Sequence, residues 1–292
     1  MTIHKSVISG NTDRGAAGGG IGIGPGSDGL AHTLTITNSR ISDNTTGSRG
    51  GGIISGSKGR VIINHSTISG NMSGAVGGGI SALETWEITN SSIYGNAASR
   101  FGGGIENAGG TGLVINSTIS DNTSDSGAGV ENVQGFAILI NSTLANNRAQ
   151  GGGGIASLAG ITILQNTILA LNTAQTGPDC ANLVTSLDNN LIGDPTGCTI
   201  SLLPHDLTGD PGLDAFTDNG KPGNGHFPLL PTSQAIDARN DAVCPRKDQI
   251  GQRRIGPCDI GAIRFLDEDD RQHEEEDDQQ EEDSAVIAQA SE

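Results

Sequence analysis

A six-residue phrase that keeps returning constrains this chain more than any other feature. SVISGN ends at Asn11, and SRISDN, STISGN, SSIYGN, STISDN, STLANN and TILALN follow, ending at Asn44, Asn71, Asn96, Asn122, Asn147 and Asn172. A second phrase keeps the same period: GGGI ends at Ile21, Ile53, Ile80, Ile105 and Ile155, with GAGV at Val130. A third precedes each hexapeptide, as LTITN (34–38), VIINH (61–65), WEITN (86–90), LVIN (113–116), ILIN (138–141) and ITILQN (161–166). A unit of about 25 residues cannot bury an apolar face alone, so its copies must stack.

Each phrase alternates apolar and polar residues, as a pleated strand does. Three strands per repeat, stacked at ~4.8 Å on their copies, make three parallel sheets around a shared interior. The expected inward stripes are Ile21/Ile53/Ile80/Ile105/Val130/Ile155, then Ile36/Ile63/Ile88/Ile115/Ile140/Ile163, then Ile8/Ile41/Ile68/Ile93/Ile119/Leu144/Leu169. The expected fold is therefore all-β: a parallel β-helix of about seven coils, right-handed because parallel crossovers nearly always are. The repeats are expected to span 1–177 and an irregular cap 178–266.

Composition fits such a solenoid better than a globule. Of 292 residues, 46 are Gly and seven are aromatic, so stacked aliphatics must replace the aromatics of an ordinary core. Three glycines per coil cost ~2–3 kcal/mol against Ala. Four buried aliphatics return roughly 6–12 kcal/mol by area. Burial wins, and the glycines are kept for corners. The asparagines that close the hexapeptides (Asn44, Asn71, Asn96, Asn122, Asn147, Asn172) are expected to form a hydrogen-bonded ladder from coil to coil. Asn38, His65, Asn90, Asn116, Asn141 and Asn166 suggest a second ladder.

The net charge of −17 is unevenly placed: residues 267–292 carry 13 acids and one Arg, hence −12, leaving −5 for the rest. A mildly acidic body argues against nucleic acid, and the tail reads as a solvated, disordered run. No apolar stretch is long enough to span a membrane. Gly24–Gly29 satisfies GxGxxG but precedes a strand and no helix, so nucleotide binding has little support. Asn-x-Ser/Thr triplets recur with the repeat, and most of their asparagines are expected in the ladders. The scattered histidines give no zinc spacing.

Two acidic groups stand out. Glu106 and Glu131 align one coil apart, each just after its stripe residue. They are therefore expected on the outer, solvated face about 5 Å apart, close enough to raise one pKa or bind a cation. Asp206, Asp210, Asp214 and Asp218 recur every fourth residue in a turn-rich stretch. Calcium at Asp206, Asp210 and Asp214 is the one cofactor to weigh, although the loop matches no standard calcium motif.

The four cysteines, Cys180, Cys198, Cys244 and Cys258, all follow the last repeat and allow three pairings. The local pairing closes two loops, worth ~3 kcal/mol each in the chain-entropy model. An even count in the irregular part points to staples and an oxidising compartment.

Several motifs in this region resemble the C-terminal part of bacterial surface β-helix proteins of the choice-of-anchor Q type. They are Gly177-Pro178-Asp179-Cys180, Asn190-Leu191-Ile192-Gly193-Asp194, Ser233-Gln234-Ala235-Ile236-Asp237, Asp248-Gln249-Ile250-Gly251 and Cys258-Asp259-Ile260-Gly261-Ala262. Gln234, Arg239, Ile250 and Ile263-Arg264 depart from that pattern. The resemblance implies a secreted or surface-displayed protein and carries no catalytic residues. Thr2–Lys5 aligns with the LTITN strand, so further coils and an export signal are expected upstream.

The expectation for function is a monomeric structural or adhesive protein presenting Thr/Ser/Asn-lined sheet faces to a glycan or another surface. The alternative rests on pectate lyases and polygalacturonases, which share the pectin-lyase-like β-helix. It is a polysaccharide lyase or hydrolase with Glu106 and Glu131 as its acids, because such hydrolysis needs a carboxylate pair. Asn11-Thr12-Asp13 resembles the first polygalacturonase motif, but the Asp-Asp, Gly-His-Gly and Arg-Ile-Lys motifs do not follow.

Overall fold

The computed structural model describes residues 1–15, 18–24, 30–238, 243–254 and 256–266. The acidic tail and most of the Gly24–Gly29 turn lie outside the described residues. The chain is all-β, a parallel solenoid of about six turns against the seven coils expected, with no helix among the described residues.

The hexapeptide strands stack in one nine-stranded sheet, from Val7–Ser9 to Leu207–Thr208. The other two phrases form two columns of a single 14-stranded sheet. They are joined because Ile155–Gln165 runs through both as one strand of 11 residues. A fourth column, absent from the sequence expectation, follows the ladder asparagines: Thr12–Asp13, Thr45–Thr46, Met72–Ser73 and Ala97–Ala98.

The stripes from Ile21 to Ile155 and from Ile41 to Leu169 are buried as expected. The middle stripe changes partway. Ile36, Ile63 and Ile88 point inward, but their register partners in the next coils are Val114, Leu139 and Leu164. Ile115 and Ile140 stand one residue after their inward neighbours and Ile163 one residue before Leu164, all on the outer face and partly exposed. The corner explains the shift. Asn38, His65, Asn90, Asn116, Asn141 and Asn166 all adopt left-handed backbone with φ between 45° and 51°, a region Asn tolerates well. Counting two residues back from that corner leads to Ile88 in one coil and Val114 in the next.

The single Trp occupies the adjacent inward row. Trp86 is buried, and its indole Nε1–H donates to Asn107 Oδ1 at 3.3 Å. Its ring lies over Gly112 of the next coil, where any Cβ would collide with it.

The irregular C-terminal part does more than close the end. A hairpin from Leu213 to Leu229, bridged at Thr217 and His226, runs back along the nine-stranded sheet. Near its tip Arg40 Nη2 donates to the Gly220 carbonyl at 3.3 Å, and Gly223 N–H donates to Thr67 Oγ1 at 2.8 Å. Further along, Thr118 Oγ1–H donates to Gln249 Oε1 at 2.6 Å, and Ala262 N–H donates to Thr143 Oγ1 at 3.1 Å. A small second core of Ile168, Ala170, Leu191, Leu229, Ala235 and Ile260 fills the seam. Cys180–Cys198 and Cys244–Cys258 are disulfide-bonded, the local pairing.

Candidate functional site

Three buried polar rows run along the solenoid. In the first, each ladder asparagine donates both its backbone N–H and its Nδ2–H to Oδ1 of the next, from Asn44 to Asn172, at 2.9–3.1 Å. Nδ2 also donates inward, for example Asn96 to the Ile68 carbonyl at 3.0 Å. The row ends on an acid: Asn172 N–H and Nδ2–H donate to Asp179 Oδ1 at 3.1 and 2.9 Å. Asp194 N–H donates to the other oxygen at 2.6 Å. Burial pushes the Asp179 carboxyl up to about 6, against those three donors.

The second row was missed in the sequence. The first residue of each hexapeptide (Ser39, Ser66, Ser91, Ser117, Ser142, Thr167) accepts the backbone N–H of its predecessor, at 3.1 Å for Ser39 to Ser66 and Ser66 to Ser91. Its own hydroxyl donates two residues back, as Ser66 does to the Asn64 carbonyl at 2.9 Å. Its signal was a hydroxyl residue at one fixed place in every repeat. This row passes to Asn190 and ends on Asp206, whose Oδ1 accepts Asn190 N–H at 2.8 Å. The third row, also missed, is short: Asn107 Nδ2–H donates to Asn132 Oδ1 at 3.0 Å in the interior. The second expected asparagine ladder is mainly a set of backbone corners. One rung joins Asn116 Nδ2–H to Asn90 Oδ1 at 3.4 Å, while Asn141 turns to the Val243 carbonyl.

Glu106 and Glu131 are direct register partners on neighbouring strands, so the chain brings them together. They are not on a solvated face. Glu106 is 3% exposed and Glu131 0%. The cause is the glycine corner that precedes each stripe residue. At Gly127, with φ +57°, the backbone folds over the outer side of its own strand so closely that a Cβ there would strike the Glu131 carboxylate. Ser81 Oγ–H donates to Glu106 Oε2 at 2.5 Å, and Arg49 Nη1 lies 3.8 Å from Oε1. Ser126 Oγ–H donates to Glu131 Oε2 at 2.8 Å, while the buried Oε1 has no hydrogen-bond partner among the described residues. Burial pushes Glu131 up to about 7, with the Glu106 charge adding to it and Ser126 opposing. Burial also raises Glu106, against Ser81 and Arg49.

The four aspartates do not converge. Asp206 ends the serine row, and its Oδ2 accepts Leu203 N–H at 2.7 Å. Asp210 and Asp214 accept their own turns' Gly212 and Ala215 N–H at 2.9 and 2.7 Å. Asp218 holds the hairpin down, accepting Tyr94 Oη–H at 2.6 Å with Arg40 Nη2 at 3.5 Å. The glycine- and proline-broken backbone spends each carboxylate locally. No group of three or more His, Cys, Asp or Glu placed to hold a metal occurs among the described residues.

Two sheet faces expected to be presented differ in access. The Thr/Ser side of the hexapeptide sheet (Thr67, Ser92, Thr118, Thr143) is buried beneath the chain's own C-terminal part. The outer side of the long-strand column remains partly exposed throughout. It is mixed in the early coils, with Thr35, Thr37, Ile62 and Glu87, and aliphatic later, with Leu113, Ile138 and Ile163. Phe136 (47% exposed) and Ile161 flank the aliphatic end. No known family model matches the chain, and neither a curated protein nor a solved structure shows significant similarity to it.

Proposed function

We propose that this chain is a secreted or cell-surface structural and adhesive protein that binds a glycan or another surface. The carrying observation is the long-strand face, which stays accessible along the stack while the hexapeptide face is occupied. Repeating rows at strand spacing offer a sugar chain hydroxyl and amide partners at one end and aliphatic and aromatic contact at the other. Two disulfides and no free cysteine suit an oxidising, extracellular setting. No helix of the described residues is long and apolar enough to cross a membrane. The choice-of-anchor Q resemblance belongs to this proposal and is supported by its motif residues Asp179, Asn190 and Asp259. Each is buried and hydrogen-bonded to backbone.

The burial of Glu106 and Glu131, the acids of the lyase or hydrolase alternative, supports the adhesive reading over it. The test is a glycan array and a cell-surface binding assay with the purified chain, alongside Phe136→Ser and Ile161→Ser. Both side chains are exposed, so the fold is expected to persist and binding to fall tenfold or more. Binding unchanged in both variants, or depolymerisation of an acidic polysaccharide, overturns the proposal.

A further inference from the structure

The Glu106–Glu131 pair is not demanded by the fold. At the same register position other coils carry Gly22, Ile54, Ser81, Ala156 and Ala181, so neutral residues close this corner elsewhere. Here two carboxyls sit at paired positions on adjacent strands, the strands being about 4.8 Å apart, and both are shut away from water. Two like charges so placed do not both ionise readily.

Their partners divide the labour. Glu106 has the Arg49 guanidinium on one oxygen and the Ser81 hydroxyl on the other, which suits an anion. Glu131 has the Ser126 hydroxyl on Oε2 and, among the described residues, no hydrogen-bond partner on Oε1. A buried carboxylate oxygen without a donor is costly, and a proton on it removes the charge that makes it so. The surrounding charged groups leave that oxygen alone. Asp125 accepts Gln150 Nε2–H at 2.8 Å, Arg100 lies over the Phe101 ring at 5.0 Å, and the next coil offers only Ala156.

We infer that Glu106 and Glu131 hold one proton between them on the weakly acid side of neutrality, with Glu131 the neutral acid, and that losing it loosens this part of the solenoid. The pair is then a device that favours the folded chain on the acid side. Its sign follows from linkage. Glu131 is raised from an ordinary 4.5 to about 7 by burial first and by Glu106 second. Between those values the folded chain binds more protons than the unfolded chain, so stability falls as pH rises through this window and levels off above it.

The experiment is thermal melting of the full chain from pH 4.5 to 8, in chelator, beside Glu131→Gln and Glu131→Ala, the latter using the residue the next coil carries. The wild-type midpoint is expected to fall by about 5–10 °C across the window. Both variants are expected to keep only the smaller fall that Asp179 contributes near pH 6, to lose the part near 7, and to melt above wild type at pH 8. Infrared spectra of the wild type should show a protonated-carboxyl carbonyl band that titrates away near 7 and is missing from Glu131→Gln, beside the Asp179 band that titrates near 6 in both proteins. This arm stands on the wild type alone if a variant does not fold. Equal slopes in all three proteins, or no such band, overturn the inference. So does a wild-type midpoint at pH 8 that divalent cation raises without raising the variants', because the pair would then hold a cation and no proton.

Discussion

The ladder asparagines show what one residue can contribute to a stack of coils. Asn122 accepts two donors from Asn96 and gives two hydrogens away, to Asn147 Oδ1 and to the Ile93 carbonyl, with no exposed surface. Asn122→Ala strands donors and acceptors on both sides at once, each worth ~1–3 kcal/mol when buried and unmade. Denaturant melts should therefore show a loss of about 3 kcal/mol or more. A loss under 1 kcal/mol would mean the ladder follows from the stack and does not hold it. Gly112 makes the converse point, since its missing side chain is the space Trp86 fills. Gly112→Ala is expected to destabilise strongly, and Trp86→Leu added to it should recover part of the loss. A double-mutant cycle with coupling below ~0.5 kcal/mol would disprove that contact. Residues of the first kind were legible in the sequence because Asn recurs at a fixed place. The burial of Glu106 and Glu131 was not. It depends on a glycine corner folding over its own strand, and alternation shows only that a side chain points away from the core, whatever lies outside it.

At the level of elements, the strand phrases were readable because period 2 within a phrase and period 25 between phrases reinforce each other. The slip at Ile115 and Ile140 arose where three apolar residues stand in a row, and at Ile163 where Ile163 and Leu164 are both apolar, so alternation alone gives two registers. The left-handed Asn corner was the better anchor. The C-terminal hairpin was not readable at all, because it has no period of its own and its docking surface is a row of Thr and Ser that reads as solvent-facing. Its fastening nonetheless rests on few residues. Gln249 is 1% exposed, accepts Thr118 Oγ1–H, and donates to the Gly223 and Gly225 carbonyls at 2.8 Å each. Gln249→Ala should leave two carbonyls and a hydroxyl unsatisfied beneath the hairpin. Hydrogen exchange is expected to rise at least tenfold across 213–229 while the strands of the stack keep their protection. Unchanged exchange there would show that the second core, from Ile168 to Ile260, holds the hairpin without Gln249.

The whole molecule has two cores of unequal kind. The long core inside the coils, from Ile3 to Val184, is built repeat on repeat, so its stability is a sum of neighbour interfaces. The outer core under the C-terminal part is small, and the chain around it has little regular structure. The disulfides are divided to match: Cys180–Cys198 staples the last strands of the stack, and Cys244–Cys258 closes a loop in the outer layer. Each bond shortens a loop of 14–18 residues in the unfolded chain, so each contributes ~3 kcal/mol if native strain is small. That is a minor part of a long stack and a large part of a small outer core. Reduction should therefore act unevenly. With reductant and alkylation, circular dichroism is expected to keep the β signal of the coils. Limited proteolysis should then cut within 213–254 first, uncovering the Thr67–Thr143 face. Loss of the β signal together with the outer layer would show one cooperative unit, with the C-terminal part holding the stack closed. Cleavage that begins within the coils would show the stack to be the weaker part.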